Sequence, residues 1–347
     1  MVIARLAGSG CAFPARLEQD VLWDEFFAPR LGHSRVAERL FRAAGVRHRH
    51  GVANPLEEDV SQWSTSQRME RFIADAPALG AEAVAAALAD AGLDASEVGM
   101  FAVASCTGYS TPGLDIRVAS ALGMPDDVQR LLIGHMGCYA ALPGLGAVSD
   151  YVVARRRPAV LLCLELTSLH AQPATGDLSQ VVTHALFADA AAAVVLRPTG
   201  PGPGVVDIAA RTDSATAGHM RWEVTDQGFR MGLSPEVPAV LGRHVGPVVT
   251  RLLEEHDLAV SDIGAWAVHP GGPRILEIVE HRLELPPGAL GVSHGVLRER
   301  GNCSSATVLV ILDELLRGGQ SKTGKPAVMM AFGPGLTLYT ALLSRPD

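Results

Sequence analysis

The chain has 347 residues, 48 % of them hydrophobic and 19 % charged, which suits a deep-cored globular enzyme and excludes a disordered or fibrous protein. Its net charge of −8 gives no support to nucleic-acid binding. The N-terminus lacks a basic-then-apolar signal pattern and no run approaches the ~18 apolar residues of a membrane span. The five scattered cysteines predict a reducing cytoplasm, and none forms the paired spacing of a metal site.

In chain order, the charged and irregular stretch 20–75 reads as an insertion or cap at a cleft mouth. A helix is predicted over 78–92 and a strand over 100–105. The strand-like run Leu131–Ile133 then passes through Gly134, His135, Met136 and Gly137 into a helix over 138–155. Strands follow at 159–165 and 191–196, and the segment Arg197–Gly204 is the clearest breaker in the chain. Beyond it come helices at 246–256, 274–283 and 303–317, with strands at 264–268 and 327–332. Strands alternating with helices predict an α/β fold with largely parallel, doubly covered sheets.

The pattern repeats. Residues 88–106 and 253–271 align at an offset of 165: Leu88, Ser96, Gly99, Phe101 and Val103 meet Leu253, Ser261, Gly264, Trp266 and Val268. The same offset sets Cys138 opposite Cys303 and Gly137 opposite Asn302. A fixed period held through helix, turn and strand predicts two duplicated halves, divided as 1–205 and 206–347. Such halves bring equivalent strand ends to one central cleft, so Cys138 can face His269 and Asn302.

Each of these residues has an ordinary structural reading by itself. A lone cysteine is more often a small buried apolar residue, and Asn302 near a helix start is a favoured N-cap. Together they describe one reaction: a cysteine at a helix start accepts an acyl group, while imidazole and carboxamide N–H groups hold a thioester oxygen. A papain-like hydrolase also uses Cys, His and Asn, but its local signature around the cysteine is missing here.

Five motifs carry a resemblance: Gly137-Cys138, Leu186-Phe187-Ala188-Asp189, His269-Pro270-Gly271-Gly272-Pro273, Gly301-Asn302-Cys303-Ser304-Ser305-Ala306 and Phe332-Gly333-Pro334-Gly335-Leu336-Thr337. In order and spacing the chain resembles the type III polyketide synthases, the chalcone synthase-like family of the thiolase superfamily, in its bacterial form. The resemblance implies a thiolase-like fold in five αβαβα layers and a homodimer with 106–114 near the contact. It implies iterative decarboxylative Claisen condensation of malonyl-CoA onto a Cys138-bound starter from an acyl-CoA, then cyclisation to a pyrone or phenolic ring, with CoA thioesters as substrates and no cofactor. Cys138 matches the nucleophile, and His269 and Asn302 match the pair that activates it and stabilises the enolate.

Phe187 matches an aromatic gatekeeper. The second gatekeeper falls on Met231, with Phe229 close by, and a methionine there would make a more adaptable cavity wall that admits aliphatic starters. Glu165 and Thr167 match a polar pair beside the cyclisation site, where His170 replaces a small polar residue. Cys106 lines the cavity by the same resemblance, Gly271, Phe332, Gly333 and Pro334 face substrate, and Ala331 stands where a glycine is usual. For the CoA phosphates Arg39 matches one basic position, with Arg35 and Arg42 as shifted neighbours. A ketoacyl-ACP synthase III-like enzyme, performing one condensation or an acyl transfer, shares the Cys-His-Asn set but lacks the Phe332–Gly335 loop in this form.

Overall fold

Runs that are apolar at every position become strands buried on both faces. The computed structural model describes residues 3–318 and 324–344. In chain order its strands are β1 (Arg5–Ala12), β2 (Arg16–Glu18), β3 (His48–His50), β4 (Met100–Ser105), β5 (Gln129–Gly134), β6 (Ala159–Glu165), β7 (Ala190–Arg197), β8 (Val205–Thr212), β9 (Met220–Thr225), β10 (Gly228–Leu233), β11 (Ala265–Val268), β12 (Ala327–Gly333) and β13 (Thr337–Leu343). One sheet is ordered β1-β7-β6-β4-β5 and the other β11-β12-β13-β8.

The two sheets share one plan. In the first, β4 runs parallel to β6, which is antiparallel to β7, itself antiparallel to β1. In the second, β11, β12, β13 and β8 repeat those three relations in the same order. The repeat read from the sequence is therefore a repeated sheet, to which β5 adds an edge strand beside β4.

Alternation along each strand builds the layers. Phe101, Val103, Val160, Leu162 and Leu164 face outward onto the Thr65–Ala91 helix, while Ala102, Ala104, Leu161 and Cys163 face the centre. The centre is filled by the helices Ala141–Arg155 and Thr307–Arg317, which also meet Ala265, Ala267, Met329 and Ala331 of the second sheet. On that sheet's far side Trp266, Val268, Val328, Met330 and Phe332 pack on the helices Val237–Glu254 and Pro273–Arg282. Helix, sheet, paired helices, sheet and helix make five layers. Small residues of β1 let the outer helix come close: a Cβ on Gly8 or Gly10 would lie 2.4 or 2.5 Å from backbone oxygens of that helix.

The breaker does its expected work, since β7 ends at Arg197 and β8 begins at Val205 in the other sheet. Two expectations need correction. The outer helix starts at Thr65 rather than near 78, capped by Ser64, so 65–75 is helix and not irregular insertion. That helix is long and apolar enough to cross a membrane, yet Phe72, Ala76, Ala83, Val84 and Ala87 are core residues against the sheet. The remainder, 20–64, is charged on its surface but carries its own apolar cluster of Leu22, Trp23, Phe26, Phe27 and Phe41. The helix expected over 246–256 spans Val237–Glu254, with Pro238 in its first turn and Pro247 inside it.

Candidate active site

The chain leaves β5 through two positive-φ residues, His135 (61°) and Gly137 (73°), before the short 3-10 turn Gly137–Tyr139 and the central helix from Ala141. A Cβ on Gly137 would lie 2.5 Å from Pro334 Cδ. Only glycine lets the Cys138 turn sit against the Phe332–Gly333–Pro334 segment.

His269 follows β11, where its backbone N–H donates to Met330 O at 2.8 Å. Its ring stands edge-on to Phe332, centroids 5.9 Å apart, and Nδ1 is buried without a partner among the described residues. Gly271 N–H donates back to His269 O at 3.1 Å, and Gly271 borders the Phe332 ring.

Asn302 is held by its backbone to the gatekeeper segment, its N–H donating to Leu186 O (2.8 Å) and its carbonyl accepting from Ala188 N–H (2.9 Å). Its Oδ1 accepts from Ser304 N–H at 2.9 Å, so the amide orientation is fixed. The NH2 end has no partner among the described residues. Ser304 then joins the site together: its hydroxyl is 3.6 Å from Cys138 Sγ, 3.7 Å from Cys106 Sγ and 3.4 Å from Glu165 Oε1. Cys138, His269 and Asn302, from three separated segments, are 5 %, 1 % and 2 % exposed; Ser304 adjoins Cys138 and Asn302, while the Phe332–Pro334 segment adjoins the Cys138 turn and the His269 ring.

Burial sets the electrostatics. It pushes the Cys138 thiol up to about 12, with the nearby Glu165 carboxylate adding to the rise against the Ser304 hydroxyl. It pushes the His269 imidazole down to about 3. The helix start therefore does not lower the thiol below its ordinary range, as a cysteine in that position would suggest; loss of water outweighs the dipole.

Glu165 and Thr167 are not hydrogen-bonded to each other. Glu165 is fully buried and accepts from Cys106 N–H (3.0 Å), Thr107 Oγ1 (2.8 Å) and Ser305 Oγ (2.6 Å), with burial raising its carboxyl and these donors lowering it. Thr167 Oγ1 donates instead to Ala188 O at 2.8 Å, behind the gatekeeper. His170 donates from Nε2 to Thr107 O (2.6 Å), accepts Phe229 N–H on Nδ1 (2.9 Å) and stacks on the Phe229 ring. Trp222 closes the same wall with Nε1–H on Cys106 O at 2.7 Å.

Phe187, Thr167, His170, Trp222, Phe229 and Met231 line one cavity, so Phe229 and Met231, two apart on β10, share its wall. Sequence reasoning missed Trp222, Ser304, Gln180, His184 and the buried Arg49. Ser304 lay inside a motif already singled out; Trp222 and β9 were recoverable from the Asp226-Gln227-Gly228 turn signal.

The three arginines lie apart from Cys138 on the exposed helix Arg35–Arg42. Arg42 is engaged by Asp20 (2.7 Å), Glu38 (3.0 Å) and Asp24 (3.7 Å). Arg35 and Arg39 have no ion pair among the described residues.

Comparison with known proteins matches these elements throughout. The N-terminal domain of chalcone and stilbene synthases matches residues 50–201 and the C-terminal domain matches 207–345. The chain is 37 % identical to 1,3,6,8-tetrahydroxynaphthalene synthase of Streptomyces peucetius subsp. caesius over 89 % of this chain and 83 % of that protein. It is 31 % identical to the alpha-pyrone synthesis polyketide synthase-like Pks18 of Mycobacterium tuberculosis (86 % and 80 %). The crystal structure of PKS-I from the brown alga Ectocarpus siliculosus superposes with a TM-score of 0.93 at 27 % identity, covering 99 % of each chain. That of 1,3,6,8-tetrahydroxynaphthalene synthase from Streptomyces coelicolor A3(2), a bacterial type III polyketide synthase, superposes at 0.92 and 27 %, covering 98 % and 99 %. The chain belongs to the chalcone and stilbene synthase family and is a type III polyketide synthase.

Proposed function

We propose that Cys138 is the acyl carrier, His269 and Asn302 the enolate-stabilising pair, and malonyl-CoA the extender. The observation that carries this reading is the Asn302 amide: Oδ1 is anchored to Ser304 N–H, so its NH2 is left to donate in a buried site whose Ser304 hydroxyl stands 3.6 Å from Cys138 Sγ. The Cys138 proton passes to His269 as Sγ attacks the starter thioester. The Cys138 acyl thioester forms and CoA leaves as a thiol.

Malonyl-CoA then loses CO2, and its C–C bond electrons become an enolate whose oxygen accepts from His269 and Asn302. The enolate carbon attacks the acyl carbonyl, forming the new C–C bond and releasing Cys138. The extended chain returns to Cys138 for another round and finally cyclises to a pyrone or a phenolic ring of the resorcinol, phloroglucinol or hydroxynaphthalene kind. Nothing in these steps calls for a metal or cofactor. Phe187 and Met231 shape the cavity and Cys106, outside its lining, backs the Trp222 wall, while Gly271 and Phe332–Gly333–Pro334 seat the thioester arm. The CoA phosphates fall to Arg39 and Arg35, since Arg42 is already neutralised by carboxylates.

The halves 1–205 and 206–347 meet as partners in one site, the first giving Cys138 and the second His269 and Asn302. A homodimer is supported by the open edge of β5, where Leu132 is 51 % exposed, and by Tyr109, 67 % exposed in the 106–114 loop. Five free thiols suit a cytoplasmic setting. Incubation with malonyl-CoA and a panel of acyl-CoAs, read by mass spectrometry, tests the reaction. Pyrone or phenolic products requiring several extensions support it; a product of one extension alone would point to a single-condensation enzyme. A solution mass of one chain at micromolar concentration would count against the dimer.

A further inference from the structure

Asn302 rests on the end of a helix. The helix Leu178–Leu186 closes with carbonyls that have no partner further along it. Leu186 O accepts Asn302 N–H at 2.8 Å, so the Asn302 segment itself caps this end, and Ala188 N–H donates back to Asn302 O at 2.9 Å. The carbonyls of Ala185 and His184, one and two residues earlier, are taken by the guanidinium of Arg49, which also reaches Phe187 O at 3.1 Å. A buried arginine and the enolate-stabilising asparagine therefore share one helix end.

Arg49 is 8 % exposed and forms no ion pair among the described residues. Its Nε and Nη2 both donate to Gln19 Oε1, and Gln19 Nε2–H donates in turn to Ala185 O at 2.9 Å. A buried cation with no carboxylate in contact is costly unless fixed dipoles hold it, and the partial negative charge at a helix C-terminus supplies them. The whole fork is used in holding oxygens, which a lysine, with three donors at one point, cannot do. Packing repeats the link: a Cβ on Gly301 would lie 2.9 Å from Ala188 Cβ, 3.1 Å from Leu186 O and 3.6 Å from Arg49 Cβ. His269 is held instead by Met330 O, and the Cys138 turn by Pro334.

We infer that Arg49 is a positioning residue for the condensation step: by gathering the last carbonyls of the helix Leu178–Leu186 it fixes the segment 186–188 on which the Asn302 backbone rests, and so sets the carboxamide toward the enolate oxygen. The inference rests on the condensation reading above and adds to it the group that places one of its two donors. Loss of the fork would let the helix end and the Asn302 backbone move together. Acylation of Cys138 needs the His269 imidazole as proton acceptor, whereas the enolate needs both donors, so the two half-reactions respond differently.

Arg49→Lys keeps the charge and removes the fork. Decarboxylation of malonyl-CoA is followed by released CO2, and loading of Cys138 by intact mass after mixing with an acyl-CoA. A displacement of about 1 Å at Asn302 should lower the kcat of decarboxylation about tenfold or more, with KM for malonyl-CoA and the loading rate each within about twofold of wild type. Removing the donor outright in Asn302→Ala costs about a hundredfold or more, and Arg49→Lys added to it should lower decarboxylation no further. A general loss of structure would instead lower loading and decarboxylation in parallel, and would lower the Asn302→Ala protein again. Either result, or wild-type decarboxylation in folded Arg49→Lys, overturns the inference. Gln19→Met, which takes away the Gln19 oxygen but leaves the arginine, should give the same split at a smaller size, and it carries the test if Arg49→Lys does not fold. Crystal structures of wild type and variant read the Asn302 carboxamide directly, and an unmoved carboxamide also overturns the inference. A wild type that does not decarboxylate malonyl-CoA would defeat the condensation reading instead, and the crystallographic comparison would still decide what Arg49 holds.

Discussion

Replacing Gly137 by alanine tests the geometry on which the site depends. The residue has φ 73°, where a Cβ costs about 1–2 kcal/mol. The added carbon would also lie 2.5 Å from Pro334 Cδ, more than an ångström inside ordinary contact. Forcing a methyl group into packed surroundings costs a further ~1–3 kcal/mol. Gly137→Ala should therefore lose about 2–5 kcal/mol of stability, read by urea unfolding. Cys138 is the next residue, so relief of the clash displaces its Sγ or the Phe332–Pro334 segment, and a shift of about 1 Å costs roughly a hundredfold in rate. Product formation from malonyl-CoA, followed by liquid chromatography, should fall by that factor. Gly134, three residues earlier, has nothing within 4 Å of its would-be Cβ and is the control: Gly134→Ala should keep wild-type rate and stability. Gly137→Ala with unchanged stability and turnover would refute the claim that this close approach holds the nucleophile.

Three further outcomes follow from the same geometry. The Cys138 thiol, raised to about 12 by burial, reacts as thiolate, so its alkylation by iodoacetamide should keep rising with pH above 9 in the free enzyme; a plateau reached by pH 8 would contradict this. Glu165→Gln replaces an acceptor with an amide that must turn donors toward Cys106 N–H, Thr107 or Ser305, and should cost about 2–3 kcal/mol in chemical unfolding; a cost near zero would show that the carboxylate is not what anchors those groups. Met231→Phe should narrow the accepted acyl-CoA starters toward short chains, and an unchanged starter profile would remove Met231 from the cavity-shaping residues.

The central strands and helices were legible because their apolar runs are long and bounded by glycine or proline; 100–105 and 159–165 fall on β4 and β6 without adjustment. The repeat told more than any single motif, since it set Gly137-Cys138 opposite Asn302-Cys303, each pair just ahead of one of the two central helices. What stayed hidden was decided by tertiary contact. The β9–β10 hairpin carries alternating polar residues because one face is exposed, so its pattern does not mark Trp222, whose indole donates to Cys106 O. Gln180 and His184 gave no signal, because lining a cavity is a property of the packing around a residue rather than of its spacing. The upward shift of the Cys138 thiol was hidden for a similar reason: the sequence shows a helix start but not the exclusion of water.

Intact-mass spectrometry after incubation with an acyl-CoA starter tests the central claim most directly. Wild type, Cys106→Ala and Cys303→Ala should each gain one acyl group, and Cys138→Ala should gain none while remaining folded. An acyl adduct on the Cys138→Ala protein would contradict the assignment of Cys138 as the acyl carrier.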